Sequence, residues 1–197
     1  LELKNQIFSD GCHFLKSPSK HFDFLKNLID IKGHLAAAKK DVPIEIDISI
    51  SKMSSVLKFF RDSDGSLFTF NNSNYINNTT INQVIVRANS KTKTPKSLPV
   101  SGFEKITENR INFIMDSGKP VVEDTYASSL SFEFSYSKKQ IIVNCGSPYI
   151  NNKKWAEAMK STAAHSTLSI DNINSSDIFF KKNPANKRLA KVWSSRE

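Results

Sequence analysis

Apolar positions fall into two regimes along this chain, and the change comes near Asp64-Gly65. Before it they recur at three and four residues. Gln6, Ile7 and Phe8 close a first helix that Asp10-Gly11 breaks. Ser17-Pro18 reads as an N-cap followed by proline at the first helical position. Phe22, Leu25, Leu28, Ile29 and Leu35 then line one face of a helix of about six turns, given the 1.5 Å rise per residue. After Asp41 and Pro43, Ile46, Ile50, Met53, Leu57 and Phe60 step by four, three, four and three. EIDISISKM also alternates like a strand, but the longer register to Phe60 selects a helix. The two helices, joined by AAAKKDVP, form an antiparallel hairpin.

Beyond Gly65 the period moves toward two. Strands are expected at Leu67–Phe70, Gly102–Thr107, Arg110–Asp116, Leu130–Tyr136, Gln140–Asn144, His165–Ile170 and Lys187–Trp193, with a brief helix over Thr80–Ala88. Short strands joined by turns suggest an antiparallel sandwich. Helices followed by strands define an α+β chain of two packed parts, 1–63 and 64–197. The chain opens inside a helical pattern and stops just after KVW, which reads as a fragment.

Composition changes this picture little. The 197 residues are 39% hydrophobic and 24% charged, enough for a packed core. A net charge of +9 favours a polyanionic partner, although the lysines are dispersed rather than clustered. Nucleic acid is not expected, because neither an aromatic RNA-binding signature nor a recognition-helix pattern is present. Cys12 and Cys145 form no paired motif and fix no compartment. No apolar run is long enough to span a membrane, and no signal peptide opens the chain.

Candidate chemistry centres on four histidines. His34 sits among lysines near a helix end and reads as solvated. His13 follows a turn and His21 lies in the first turn of the second helix, where both can face one region. His165, between Ala164 and Ser166, has small neighbours that leave the imidazole accessible for proton transfer near neutral pH. The carboxylates of the β part are Asp116, Glu123, Asp124, Glu133 and Asp171; if Phe132 and Phe134 point inward, Glu133 points to solvent. Trp155 can stack on a ligand or pack as core. Asn144-Cys145-Gly146 can line a cleft or simply turn the chain. No nucleophile elbow, phosphate-binding glycine loop or H-E-x-x-H motif occurs.

Segments QIFSDGCH, KSPSKH and FLKNLIDI, then SGFEKI, MDSG, LSFEFS, IIVNCG, TAAHSTL and INSSDIF, keep an order and spacing that resemble the heparinase II/III-like polysaccharide lyases. The resemblance implies the last helices of an α/α toroid followed by a β-sandwich, in a divergent bacterial member. It implies cleavage of an acidic, uronate-containing polysaccharide by β-elimination, in the periplasm or cell envelope, with the bacterial cytoplasm as the alternative. Tyr126, His165 and His21 are then the expected proton-transfer residues, with His13, Lys20, Asn144 and Trp155 toward the substrate. Departures accompany the likeness. Lytic members carry Tyr-His where this chain has Lys20-His21, and lysine is a poor acid/base at its ordinary pKa of about 10.4. A structural zinc is implied at positions that here hold Tyr126, Asn144 and His165, so His165 is the one good ligand left. A non-catalytic glycan-binding or envelope protein on the same fold is the alternative reading.

Overall fold

The computed structural model describes residues 2–120, 126–148 and 152–176. Helix α1 spans Glu2–Gln6, α2 Pro18–Ala37, α3 Ile44–Phe59 and α4 Asn78–Ala88. A five-stranded meander follows: β1 Ser97–Leu98, β2 Phe103–Glu108, β3 Ile111–Asp116, β4 Phe132–Tyr136 and β5 Lys139–Ile142. Every neighbouring pair is antiparallel and the strands lie in chain order. Helix α5 (Lys153–Ala158) and a 3-10 turn at Thr162–Ala164 complete the described residues. The α+β class expected from the sequence holds.

The helical hairpin is as the spacing predicts: α2 packs on α3, and α4 packs on both. Proline stands at the start of α2, with no side-chain hydrogen bond from Ser17 to cap it. Asn109 and Arg110 both adopt positive φ, 46° and 72°, between Glu108 and Ile111. Two such residues give a hairpin turn whose twist matches its strands, which fixes the β2–β3 register.

One apolar cluster unites the layers. Leu25, Met53, Leu57, Phe59 and Phe60 from the helices meet Phe68, Phe70, Leu98, Phe103 and Ile114. The Phe60 and Phe103 rings lie edge to face at 5.0 Å, and Phe70 meets Phe103 at 5.3 Å, geometries that favour aromatic pairs.

The buried face of the sheet is mixed, with polar side chains beside Phe103 and Ile114. Asn112, Asp116, Glu133 and Ser135 are all buried there. Phe132 and Phe134 occupy the other face, where Phe132 stacks with Phe113 at 5.6 Å. The expected orientation of β4 is therefore reversed. Ile114 pairs with Glu133 and Phe113 with Phe134, so alternation sends the carboxylate toward the helices. There Glu133 Oε1 accepts from the Thr69 backbone N–H and hydroxyl, each at 2.7 Å.

Two further expectations are corrected. Leu67 makes only an isolated bridge to Arg61, and Phe68–Phe70 join no ladder. His165–Ile170 is not a strand; His165 is the C-cap of the 3-10 turn. Its hydroxyl residues bond main-chain carbonyls instead: Ser166 Oγ donates to Val143 O at 2.7 Å and Thr167 Oγ1 to Ser129 O at 2.6 Å. Such side-chain bonds compete with a strand ladder. The strand expected at Lys187–Trp193, and Glu123 and Asp124, lie outside the described residues.

Lys16, just before α2, pairs with Asp116 at the end of β3, and both side chains are buried. Asn71 Nδ2 donates to Asp116 Oδ2 at 3.1 Å and to Lys16 O at 3.0 Å. Burial pushes the Asp116 carboxyl above its usual range, while Lys16, Asn71 and the Gly118 N–H pull it back. Removing one partner strands the other charge in the interior. Lys16→Met is expected to lower the unfolding free energy by about 3–5 kcal/mol in urea titrations, and the Lys16→Met/Asp116→Asn double variant to recover much of that loss.

Candidate functional site

The sequence-selected residues separate into two groups. In the first, His13 and His21 are coupled inside the helical layer. The His13 backbone N–H donates to His21 Nδ1 at 3.2 Å, and His21 Nε2 donates to Met53 O at 2.8 Å. His21 is wholly buried and its ring meets Phe60 edge to face. Both ring nitrogens are therefore spent on holding the entry to α2 against α3. A proton carrier needs a nitrogen that can reach substrate, so this geometry gives His21 a structural part. His13 is also buried, against Phe14 and Phe24. Lys20 is half-exposed beside it. His34 is exposed on α2.

The second group lies at the end of the sheet. The Tyr126 and His165 rings approach to 5.3 Å between centroids, inclined at 43°. Cys145 Sγ is 3.8 Å from His165 Nδ1. Asn144 accepts the Ser166 N–H at 3.1 Å and donates to Glu133 Oε1 at 3.2 Å. Tyr126 also donates to Asn72 Oδ1 at 2.9 Å. A small pocket opens beside it, lined by Asn71, Asp116, Gly118, Tyr126, Ser128 and Ser129 among others. Trp155 is 57% exposed on α5, so it contributes little to the core. The three positions that the family likeness marks thus come together, while His13, Lys20 and His21 form the separate helical group.

His165 Nε2 is buried and has no hydrogen-bond partner among the described residues. Burial pulls the imidazole down to about 4, leaving it neutral at physiological pH. Burial likewise pushes the Cys145 thiol up. The pair is thus a neutral thiol beside a neutral imidazole, not a thiolate–imidazolium couple.

A zinc at these positions is tested by where the donors point. The Asn144 amide uses its oxygen on Ser166 and its nitrogen on Glu133, and the Tyr126 hydroxyl donates to Asn72. One imidazole remains, and zinc sites ask for several nitrogen, sulfur or carboxylate ligands. Among the described residues no three His, Cys, Asp or Glu side chains cluster to hold a metal. The residues present do not fit the ion.

Sequence reasoning passed over Thr69, Asn71, Asn72 and the inward role of Glu133. A signal for them existed: Asn71-Asn72 is a pair suited to left-handed backbone, and both adopt positive φ, 48° and 59°. That bend carries Asn71 to Asp116 and Asn72 to Tyr126.

Comparison with known proteins places this geometry. The family model "Heparinase II/III-like, C-terminal" matches residues 90–196. The chain belongs to the heparinase II/III-like family and has a polysaccharide-lyase fold. The crystal structure of the heparan sulfate lyase HepC from Pedobacter heparinus superposes with a TM-score of 0.71 at 19% identity, over 88% of this chain and 32% of that one. The crystal structure of heparinase III superposes at 0.73 and 16% identity, over 88% and 34%. FtsZ-localized protein C of Caulobacter vibrioides is 26% identical over 173 residues, 86% of this chain and 30% of that protein. The chain spans about a third of the length of these relatives. No helix among the described residues is long and apolar enough to cross a membrane.

The buried histidines make stability depend on pH. His13, His21 and His165 are each lowered from 6.5 to about 4, chiefly by burial. Between those values the unfolded chain takes up protons that the folded chain refuses. Their contribution is therefore full above pH 6.5 and declines as pH falls toward 4. Raised Glu133 and Asp116 act with the opposite sign, so a variant isolates the effect. His165→Asn is expected to lose less stability than the parent over this interval, read from urea midpoints across the pH series.

Proposed function

We propose that this chain is part of a protein that binds an acidic, uronate-containing polysaccharide and cleaves it by β-elimination, with Tyr126 and His165 as the proton-transferring pair. The observation that carries the reading is their approach to 5.3 Å between ring centroids. A neutral His165 is in the protonation state a base requires. In such a reaction the base takes the proton beside the uronate carboxylate, and that electron pair becomes a carbon–carbon double bond. The glycosidic carbon–oxygen bond breaks and an acid protonates the departing oxygen. Residues 1–63 supply closing helices of a toroid, 64–197 the sandwich part, and the glycan lies between them. Trp155 and Lys20 are the side chains proposed to meet sugar rings and acidic groups.

A second reading, a glycan-binding or envelope protein without catalysis, is favoured by His21. Both its nitrogens are committed within the helical layer, and Lys20 precedes it in place of a tyrosine. The Caulobacter relative is named for its localisation with FtsZ and not for a lyase activity.

The test is ultraviolet absorbance of the protein incubated with a panel of uronate-containing polysaccharides. The expected outcome is a rise from the conjugated product that falls by roughly 10²-fold or more in His165→Ala. Binding to a glycan without any rise would overturn the lyase and establish the second reading; a rise undiminished in His165→Ala would remove that residue from the mechanism.

A further inference from the structure

Three segments of the sheet end meet on one amide. Asn144 Oδ1 accepts from the N–H of Ser166, Nδ2 donates to Glu133 on β4, and the Asn144 carbonyl lies 3.2 Å from the Thr69 hydroxyl. Ser166 closes the circuit. Its hydroxyl donates to Val143 O at 2.7 Å, and its carbonyl accepts the Phe132 N–H at 3.1 Å. The strand leaving β5, the start of β4 and the turn carrying His165 are thereby tied together.

The chemistry of the position is specific. It must accept on one side and donate on the other, because Glu133 presents an oxygen that already accepts from Thr69. An amide has both functions and an ionised carboxylate has only acceptors. An aspartate here would keep the Ser166 bond but set a second carboxylate against buried Glu133. A metal ligand set needs the reverse: a carboxylate at this place and a cation to balance it.

We infer that Asn144 is the centre of a hydrogen-bonded node that holds β4, the exit of β5 and the His165 turn together in place of the zinc that the family likeness implies. The node works without an ion because every polar atom of the Asn144 amide is matched inside the protein. It also leaves the His165 imidazole unclaimed by a metal. The inference does not depend on whether the protein cleaves a glycan.

The experiment measures zinc content by mass spectrometry on protein purified without chelator, and the melting temperature with and without EDTA. The expected result is zinc far below one per chain and a melting temperature that EDTA leaves in place. Stoichiometric zinc would overturn the proposal. In a second arm, Asn144→Asp is expected to melt about 4 °C or more below the parent. Glu133→Gln added to it removes the facing carboxylates and is expected to raise the melting temperature again. If Asn144→Asp does not fold, the double variant supplies the comparison: stability near the parent supports the node, and failure to recover overturns it. An Asn144→Asp protein as stable as the parent would overturn it too.

Discussion

The constraint on which the rest depends is the set of directional bonds made by polar side chains buried between the sheet and the helices. An apolar interface tolerates sliding; one made of directional bonds does not. Lys16 reaches Asp116, Asp10 accepts from Ser101, Asp62 accepts from Asn112 and Ser135, and Thr69 donates to Glu133. Strands β3 and β4 and the turn before β2 are thus pinned to specific helical-side loops. The aromatic cluster around Phe60 and Phe103 fills the space between these bonds. Buried polar groups stabilise only when satisfied, so register, loop conformation and layer contact are fixed together.

That arrangement explains what could be read beforehand. Helices α2 and α3 were legible because apolar spacing reports a local face, even through the alternating isoleucines of Ile44–Ile50. The meander strands were legible from period two and turn residues. Period two does not say which face meets the core, and at Phe132-Glu133-Phe134 the usual assumption, apolar inward, points the wrong way. The His165 segment reads as a strand, yet it folds as a turn because Ser166 and Thr167 satisfy carbonyls of other segments. Lys16 and Asp116 are 100 residues apart, and nothing in either neighbourhood announces the other.

Tyr126 approaches His165, and Asn144 bonds the residue that follows His165, because the path of the backbone brings these positions to one end of the sheet. What each position does is a property of its own atoms. Asn144 shows the difference: one oxygen exchanged for a nitrogen turns a potential ligand into a donor. His21 shows it again, since a histidine in the first turn of α2 is bonded at both nitrogens by His13 and Met53. Fold is inherited by the chain as a whole, whereas chemistry is decided atom by atom.

Lys105 on β2 donates to the carbonyls of Phe59 and Arg61, at 2.8 and 2.7 Å, and lies over the Phe59 and Phe68 rings. Its ammonium sits at the C-terminal end of α3, where the helix dipole is negative and carbonyls lack intrahelical partners. A helix is finished here by a strand made 46 residues later. During synthesis the hairpin of α2 and α3 therefore leaves the ribosome with its exposed end incomplete. It gains its terminal ligand only when β2 has emerged and folded back. Contacts of such long sequence separation slow the final assembly, and they tie the end of α3 to the sheet.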